Sequence, residues 1–168
     1  MSTGFAANGA LKRRSGPSGF TLLEILIALV LLGVLAAIAI PTYSSYVTRG
    51  QRAAAKAALL QSAQFLERNY TTFGSYGTGA GGASLTLPTP YAPTDGGQVT
   101  YTLTFASQTA NTYQLAATPC NEASGTCPNG SNQTFDDTDC GVLTLDNTGL
   151  KGASGTIGSS NAAACWSR

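Results

Sequence analysis

From Phe20 to Ile40 the chain reads FTLLEILIALVLLGVLAAIAI, twenty-one positions at which only Thr21 and Glu24 are polar. A helix that is apolar on every side has no solvated face, so lipid or other apolar helices must cover it. At the standard rise it reaches roughly 32 Å, which matches a hydrocarbon core of about 30 Å. Past Pro41, whose missing donor predicts a kink, the pattern turns amphipathic. Tyr43, Val47, Ala54, Ala58 and Phe65 follow at spacings of 4, 7, 4 and 7, which places them on one helical stripe. Ala53, Ala54, Ala55, Ala57 and Ala58 let another element approach closely. Arg49, Arg52, Lys56 and Arg68 fall at polar positions and, with Glu67, read as a solvated face of net charge +3. One helix is predicted over 20–69, about 75 Å long.

The remainder has a different period. Residues 70–97 hold seven glycines together with Pro88, Pro90 and Pro93, the composition of a loop. Within it Gly77-Thr78-Gly79-Ala80-Gly81-Gly82 satisfies G-x-G-x-x-G, but it follows a helix rather than a strand, so a dinucleotide site is not expected. From Gln98 to Ser107, Val99, Tyr101, Leu103 and Phe105 alternate with Thr100, Thr102 and Thr104, the mark of a half-buried strand. Tyr113, Leu115 and Ala117 repeat that period after the short polar stretch Gln108–Asn111, which predicts an antiparallel hairpin. A third strand is expected at Gly141–Asp146, stopped by the turn Asn147-Thr148-Gly149. The apolar sheet face is the natural cover for the helix stripe. The predicted class is α+β: a long N-terminal transmembrane helix whose C-terminal half packs on an antiparallel β-sheet head.

Composition narrows the chemistry. The 168 residues are 43 % hydrophobic and 10 % charged, with no histidine, so Ser-His-Asp, Cys-His and His-zinc sites are excluded. No nucleophile and base stand at a meaningful spacing, and neither an enzyme nor a cofactor is expected. From Tyr70 onward six acidic side chains face only Lys151 and Arg168, net −4. Such a head repels phosphates on average, so nucleic acid is not an expected partner.

Lys12, Arg13 and Arg14 precede the apolar run and orient it with the N-terminus in the cytoplasm. The turn-forming Ser15-Gly16-Pro17-Ser18-Gly19 lies before the run and no Ala-x-Ala follows it, unlike a secretory signal, so the helix is expected to stay on the mature chain. Glu24 is the anomaly, since a lone carboxylate in a membrane helix costs about 2.5–3.5 kcal/mol at mid-bilayer. It either snorkels to the headgroups or, if cleavage after Gly19 frees the Phe20 amine, pairs with that cation on a neighbouring copy.

Gly19 followed by Phe20-Thr21-Leu22-Leu23-Glu24 and the apolar run resembles the class III signal of type IV prepilins, although Leu23 stands where Ile is commoner and the leader is long. Gly33 to Val47, GVLAAIAIPTYSSYV, is similar to the continuation in type IV pilins. Cys140-Gly141-Val142-Leu143-Thr144-Leu145 with the terminal Cys165-Trp166 resembles the PilE-like minor pilins. The resemblance implies the type IV pilin fold in three parts: a leader, 1–19, removed by prepilin peptidase between Gly19 and Phe20; a helix, 20–69, with 20–40 in the membrane or filament core; and a head, 70–168. It implies methylation of the Phe20 amine, subunit assembly through Phe20 and Glu24, and a deformable segment from Gly33 to Pro41. The function implied is that of a minor pilin, a structural subunit that packs helix to helix in a type IV pilus or its initiating tip and supports adhesion or twitching motility. A DNA-uptake pilin, a major pilin and a type II secretion pseudopilin are the alternatives. Implied partners are major and minor pilin subunits, prepilin peptidase and the inner-membrane assembly platform. The chain would cross the inner membrane once before assembly and stand in the extracellular filament after it.

Cys120, Cys127, Cys140 and Cys165 contain no C-x-x-C pair, and they fall on the predicted oxidising side of the membrane, so disulfides are expected and a metal is not. Four cysteines allow three pairings. The turn-like NEASGT favours Cys120–Cys127, and the resemblance to the cysteine-bounded C-terminal loop of pilins favours Cys140–Cys165. Asp136-Asp137-Thr138-Asp139 lacks EF-hand spacing and is expected to be an exposed acidic loop rather than a Ca²⁺ site. The sequons at Asn69 and Asn132 decide nothing.

Overall fold

The computed structural model describes residues 19–121 and 135–167. Lys12, Arg13, Arg14, Cys127, the Asn132 sequon and Arg168 lie outside them. The chain divides into two compact units, with the division after Thr42. Helix α1, Leu22–Phe73, belongs to both, and its residues from Tyr43 onward are part of the head.

Local chemistry sets both ends of α1. The Thr21 hydroxyl accepts the Glu24 amide at 3.2 Å, the forward half of a capping box in Thr21-x-x-Glu24. At the other end Gly74 takes φ +69°, and its amide donates to the Tyr70 carbonyl at 2.8 Å, a left-handed glycine cap. The helix therefore runs one turn past the predicted stop at Asn69. It is continuous through Gly33 and Pro41.

Six antiparallel strands follow in sequence order as a meander. They are β1 (Tyr91–Ala92), β2 (Tyr101–Gln108), β3 (Tyr113–Pro119), β4 (Leu143–Asp146), β5 (Lys151–Ala153) and β6 (Thr156–Ile157); a short helix α2, Ala162–Ser167, ends the described chain. The β2–β3 hairpin pairs Phe105 with Leu115 and Leu103 with Ala117. Its turn is held by Thr109 Oγ1, which accepts the amides of Asn111 and Thr112. At the β4–β5 turn Asp146 Oδ1 accepts the amides of Thr148 and Leu150, both at 2.9 Å. The third strand starts at Leu143 rather than Gly141, because Gly141 sits at φ +54° and its amide donates to the Asp137 carbonyl. Thr100 and Thr102 are buried, not solvated as strict alternation would have them. Their hydroxyls are satisfied by Gln51 Oε1 and by the Ala92 and Thr118 carbonyls.

The core joins Leu59 and Leu66 of α1 to Tyr101, Leu115 and Leu143 of the sheet, all at most 0 % exposed. Each buried leucine contributes about 1.5–3 kcal/mol over an exposed one. The buried stripe of α1 is Arg52, Ala55, Leu59, Ser62, Leu66 and Asn69 at spacings of 3 and 4, with Ala58 beside it. This corrects the predicted stripe by a rotation of the helix: Tyr43 and Val47 are exposed, while Ala54 and Phe65 are only partly buried. Polar Arg52, Ser62 and Asn69 complete the buried face, so apolar positions alone do not mark it.

The end of α1 is tied down by polar contacts. Asn69 Nδ2 donates to the carbonyls of Ser75 and Thr78 at 2.8 and 2.9 Å, so this sequon's amide is occupied in the fold. The hydroxyls of Tyr76 and Tyr113 both donate to Glu67. The G-x-G-x-x-G stretch ends in a single 3₁₀ turn at Ala80–Gly82.

Gly152 of β5 has no room for a side chain: a Cβ there would run into the Thr156 carbonyl oxygen, Thr144 Oγ1 and the Ile157 Cα. Gly152→Ala is therefore expected to destabilise the head by at least about 1–3 kcal/mol, the usual overpacking cost. Gly96→Ala is the wrong control because of its positive φ; Gly50→Ala, at a helical glycine with nothing within 4 Å, should be neutral or stabilising. Thermal melts of the full chain in detergent will show the contrast, and equal melting temperatures would refute it.

Candidate functional site

Two features set this chain apart from an ordinary α+β domain. The first is the uncovered helix. Every residue from 19 to 40 is exposed, with Leu22 at 83 % and Ile40 at 68 %. Among the described residues α1 alone is long and apolar enough to cross a membrane. An apolar surface of this extent marks an interface with lipid or with other chains. Glu24 lies in the first helical turn, where a carboxylate also complements the helix dipole. Phe20 stands just before the cap and is 79 % exposed. The space around Gly33 is open, with no atom outside its own helix within 4 Å of a Cβ placed there.

The second feature is a buried ion pair that ties α1 to the loop before Cys140. Arg52 Nε and Nη2 donate to the two Asp137 oxygens at 2.8 and 2.6 Å, a bidentate fork. The Tyr101 hydroxyl donates to Asp137 Oδ2 at 2.6 Å, and the Cys140 amide to Oδ1 at 3.2 Å. Burial by itself would raise the Asp137 pKa, but the bonds from Arg52 and Tyr101 outweigh it and hold the carboxyl below its ordinary value. Asp137 hydrogen-bonding raises the Arg52 pKa, and burial with the adjacent carboxylate pushes up the Tyr101 phenol. The predictions of a solvated Arg52 and a wholly exposed acidic loop are corrected here. Asp136 and Asp139 are exposed as expected, but Asp137 is buried and neutralised. The signal was present: Arg52 lies on the 3-4 stripe with Ala55 and Leu59, and a cation there requires a buried anion.

The same loop is fastened by a disulfide between Cys140 and Cys165, Cα–Cα 5.7 Å, closing 25 residues. On the chain-entropy model such a closure contributes about 3–4 kcal/mol. Lys56 Nζ donates to the carbonyls of Cys165 and Trp166 at the end of α2, and Trp166 Nε1 donates to the Gly152 carbonyl at 2.9 Å. Burial lowers the Lys56 pKa, helped by repulsion from Arg52 and Lys151. A cleft of about 550 Å³ lies between Ser44–Arg52 of α1, the Asp136–Cys140 loop and α2; Arg49, Thr48, Asp139 and Asn161 line it. Its mixed charge and hydroxyl lining suits polar contacts with another surface. Cys120, directly after β3, is buried, and its expected partner Cys127 lies outside the described residues.

An exposed apolar N-terminal helix, an antiparallel sheet head and a C-terminal disulfide loop are the parts that the resemblance to type IV pilins implies. A family model described as "Type IV minor pilin ComP, DNA uptake sequence receptor" matches residues 41–144, and one described as the prokaryotic N-terminal methylation motif matches residues 14–40. The chain belongs to this type IV minor pilin family. A type IV major fimbrial protein FimA of Dichelobacter nodosus is 50 % identical over 38 residues, 23 % of this chain and 24 % of that protein. The fimbrial protein EcpC of Eikenella corrodens is 54 % identical over 33 residues, 20 % of this chain and 22 % of that protein. The alignments thus span about a quarter of the length of these relatives. The solved minor pilin PilV of Neisseria meningitidis aligns over 68 % of this chain and 94 % of its own at 24 % identity, with a TM-score of 0.42.

The ion pair gives a test with a definite sign. Arg52→Met strands the Asp137 carboxylate and is expected to cost about 3–5 kcal/mol, whereas Arg52→Met with Asp137→Leu should recover most of that loss. Because the folded pKa of Asp137 is depressed, its contribution is present above the unfolded value of about 3.9 and disappears as pH falls through the folded value. Denaturant titrations from neutral to strongly acidic pH should show this loss in the wild type and a flatter profile in the double variant. Identical profiles would refute the role assigned to the pair.

Proposed function

We propose that the chain is a structural minor subunit of a type IV pilus, held in the inner membrane by residues 20–40 before assembly and packed by the same residues among neighbouring pilin helices afterwards. The observation that carries the reading is the complete exposure of the apolar residues 19–40, while the head has a closed core of its own. Lipid and a bundle of like helices are the two covers that suit a surface apolar all round.

In this reading prepilin peptidase removes 1–19 between Gly19 and Phe20, and the freed Phe20 amine is methylated. The methylation-motif match over 14–40 supports both steps. The assembly platform then extracts the subunit, the Phe20 amine meets the Glu24 carboxylate of a neighbour, and Gly33 to Pro41 yields as helices pack. The role is structural rather than enzymatic, in the shaft or the initiating tip, and supports adhesion or motility.

A second reading is favoured by the family description, which names a DNA uptake receptor. Against it stands the charge: from Tyr70 onward the exposed Asp95, Asp136 and Asp139 and the half-buried Asp146 face Lys151 as the described cation. A receptor role requires duplex binding whose log K falls with log salt by about 0.9 per phosphate neutralised, and loss of that binding in Lys56→Gln/Lys151→Gln.

The structural reading is tested at Glu24. Gln is also accepted at the third position of a capping box, so Glu24→Gln removes the charge and spares the cap. The variant should reach the membrane and lose its leader, yet be missing from sheared filaments, since an unpaired buried cation costs about 3–5 kcal/mol per contact. Its presence there at wild-type stoichiometry would contradict the pairing.

A further inference from the structure

Tyr43, the first position of the predicted stripe, is 71 % exposed, and Tyr46 one turn on is 70 % exposed. The head gives neither ring a place. Both follow directly on the apolar run, and at the standard rise their Cα atoms come about 4.5 and 9 Å beyond that of Ile40. A headgroup layer is roughly 5–8 Å deep on each side of the hydrocarbon. Side chains of a helix lean toward its N-terminus, so both rings reach back toward the run. Three residues apart, they also lie within one sector of the helix surface.

The threonine hydroxyls on either side of them are already satisfied within the helix. Thr42 Oγ1 donates to the Ile38 carbonyl at 3.0 Å, and Thr48 Oγ1 to the Ser44 carbonyl at 3.1 Å. Such back-bonded hydroxyls do not depend on water. An apolar ring with a polar tip is the side chain best suited to the boundary between hydrocarbon and water.

We infer that Tyr43 and Tyr46 form an interfacial belt that seats the inserted chain in the phospholipid headgroup layer at the far end of its apolar run. The inference rests on the membrane anchoring proposed above and goes beyond it, because it fixes the depth at which the head emerges. It also identifies the contacts that extraction must break before the subunit enters a filament.

The test places the full chain in phosphatidylcholine vesicles carrying bromines either near the headgroups or near the acyl tail ends. Tyr43→Trp, Tyr46→Trp and Val30→Trp are compared, with the wild-type signal of Trp166 subtracted. Trp at 43 and 46 is expected to emit at shorter wavelength than in water and to lose more intensity to shallow bromines than to deep ones. Trp at 30 should show the reverse preference. Water-like, unquenched emission at 43 and 46 with normal quenching at 30 overturns the belt and leaves anchoring intact. Deep quenching at 43 and 46 overturns it as well, by placing them in the hydrocarbon. Absence of quenching at all three positions overturns membrane anchoring itself.

Discussion

Twenty-one nearly uninterrupted apolar positions, exposed from end to end, impose the condition that the remaining features of this chain answer. Soluble domains rarely expose an apolar surface of this extent. In the proposed reading its cover is lipid first and other pilin helices later. Thr21 and Glu24 sit at the start of that surface because a helix entering an apolar medium leaves its first amides without partners. Thr21 supplies one of them with an acceptor. In the proposed reading Glu24 brings a charge that the Phe20 amine of a neighbour neutralises.

The head solves a separate problem, which is to fold securely on half of the same helix. Its core is modest, and the Arg52–Asp137 pair with the Cys140–Cys165 bond closes the loop that the sheet alone would leave loose. The two devices share one segment: Asp137 lies three residues before Cys140 and accepts its amide. A carboxylate placed there is held by a guanidinium, a phenol and a backbone amide, the environment in which a buried charge is sustained.

Much of this was legible in the residues. The apolar run, the amphipathic helix after it, the hairpin of Tyr101–Gln108 with Tyr113–Pro119 and the strand ending at Asp146 follow from period and turn chemistry. The orientation of the helix on the sheet was not, since a stripe assembled from apolar letters alone passes over Arg52, Ser62 and Asn69, whose polar groups are satisfied only by tertiary partners. The two-residue strands β1 and β6 are too short to show a period, and β5 is built around Gly152, which has none. Asp137 looked like its neighbours Asp136 and Asp139 because sequence does not distinguish a loop carboxylate that turns inward from those that turn out.

In the proposed reading the helix from Leu22 to Ile40 ends up among the helices of other pilin subunits. A photo-crosslinking amino acid placed at Leu29, in cells that assemble pili, tests it most directly. Illumination of sheared, washed filaments should yield adducts between this chain and a second pilin. Filaments that contain the chain but give no pilin adduct from Leu29, Val30 or Leu32, or filaments that lack the chain, would contradict it.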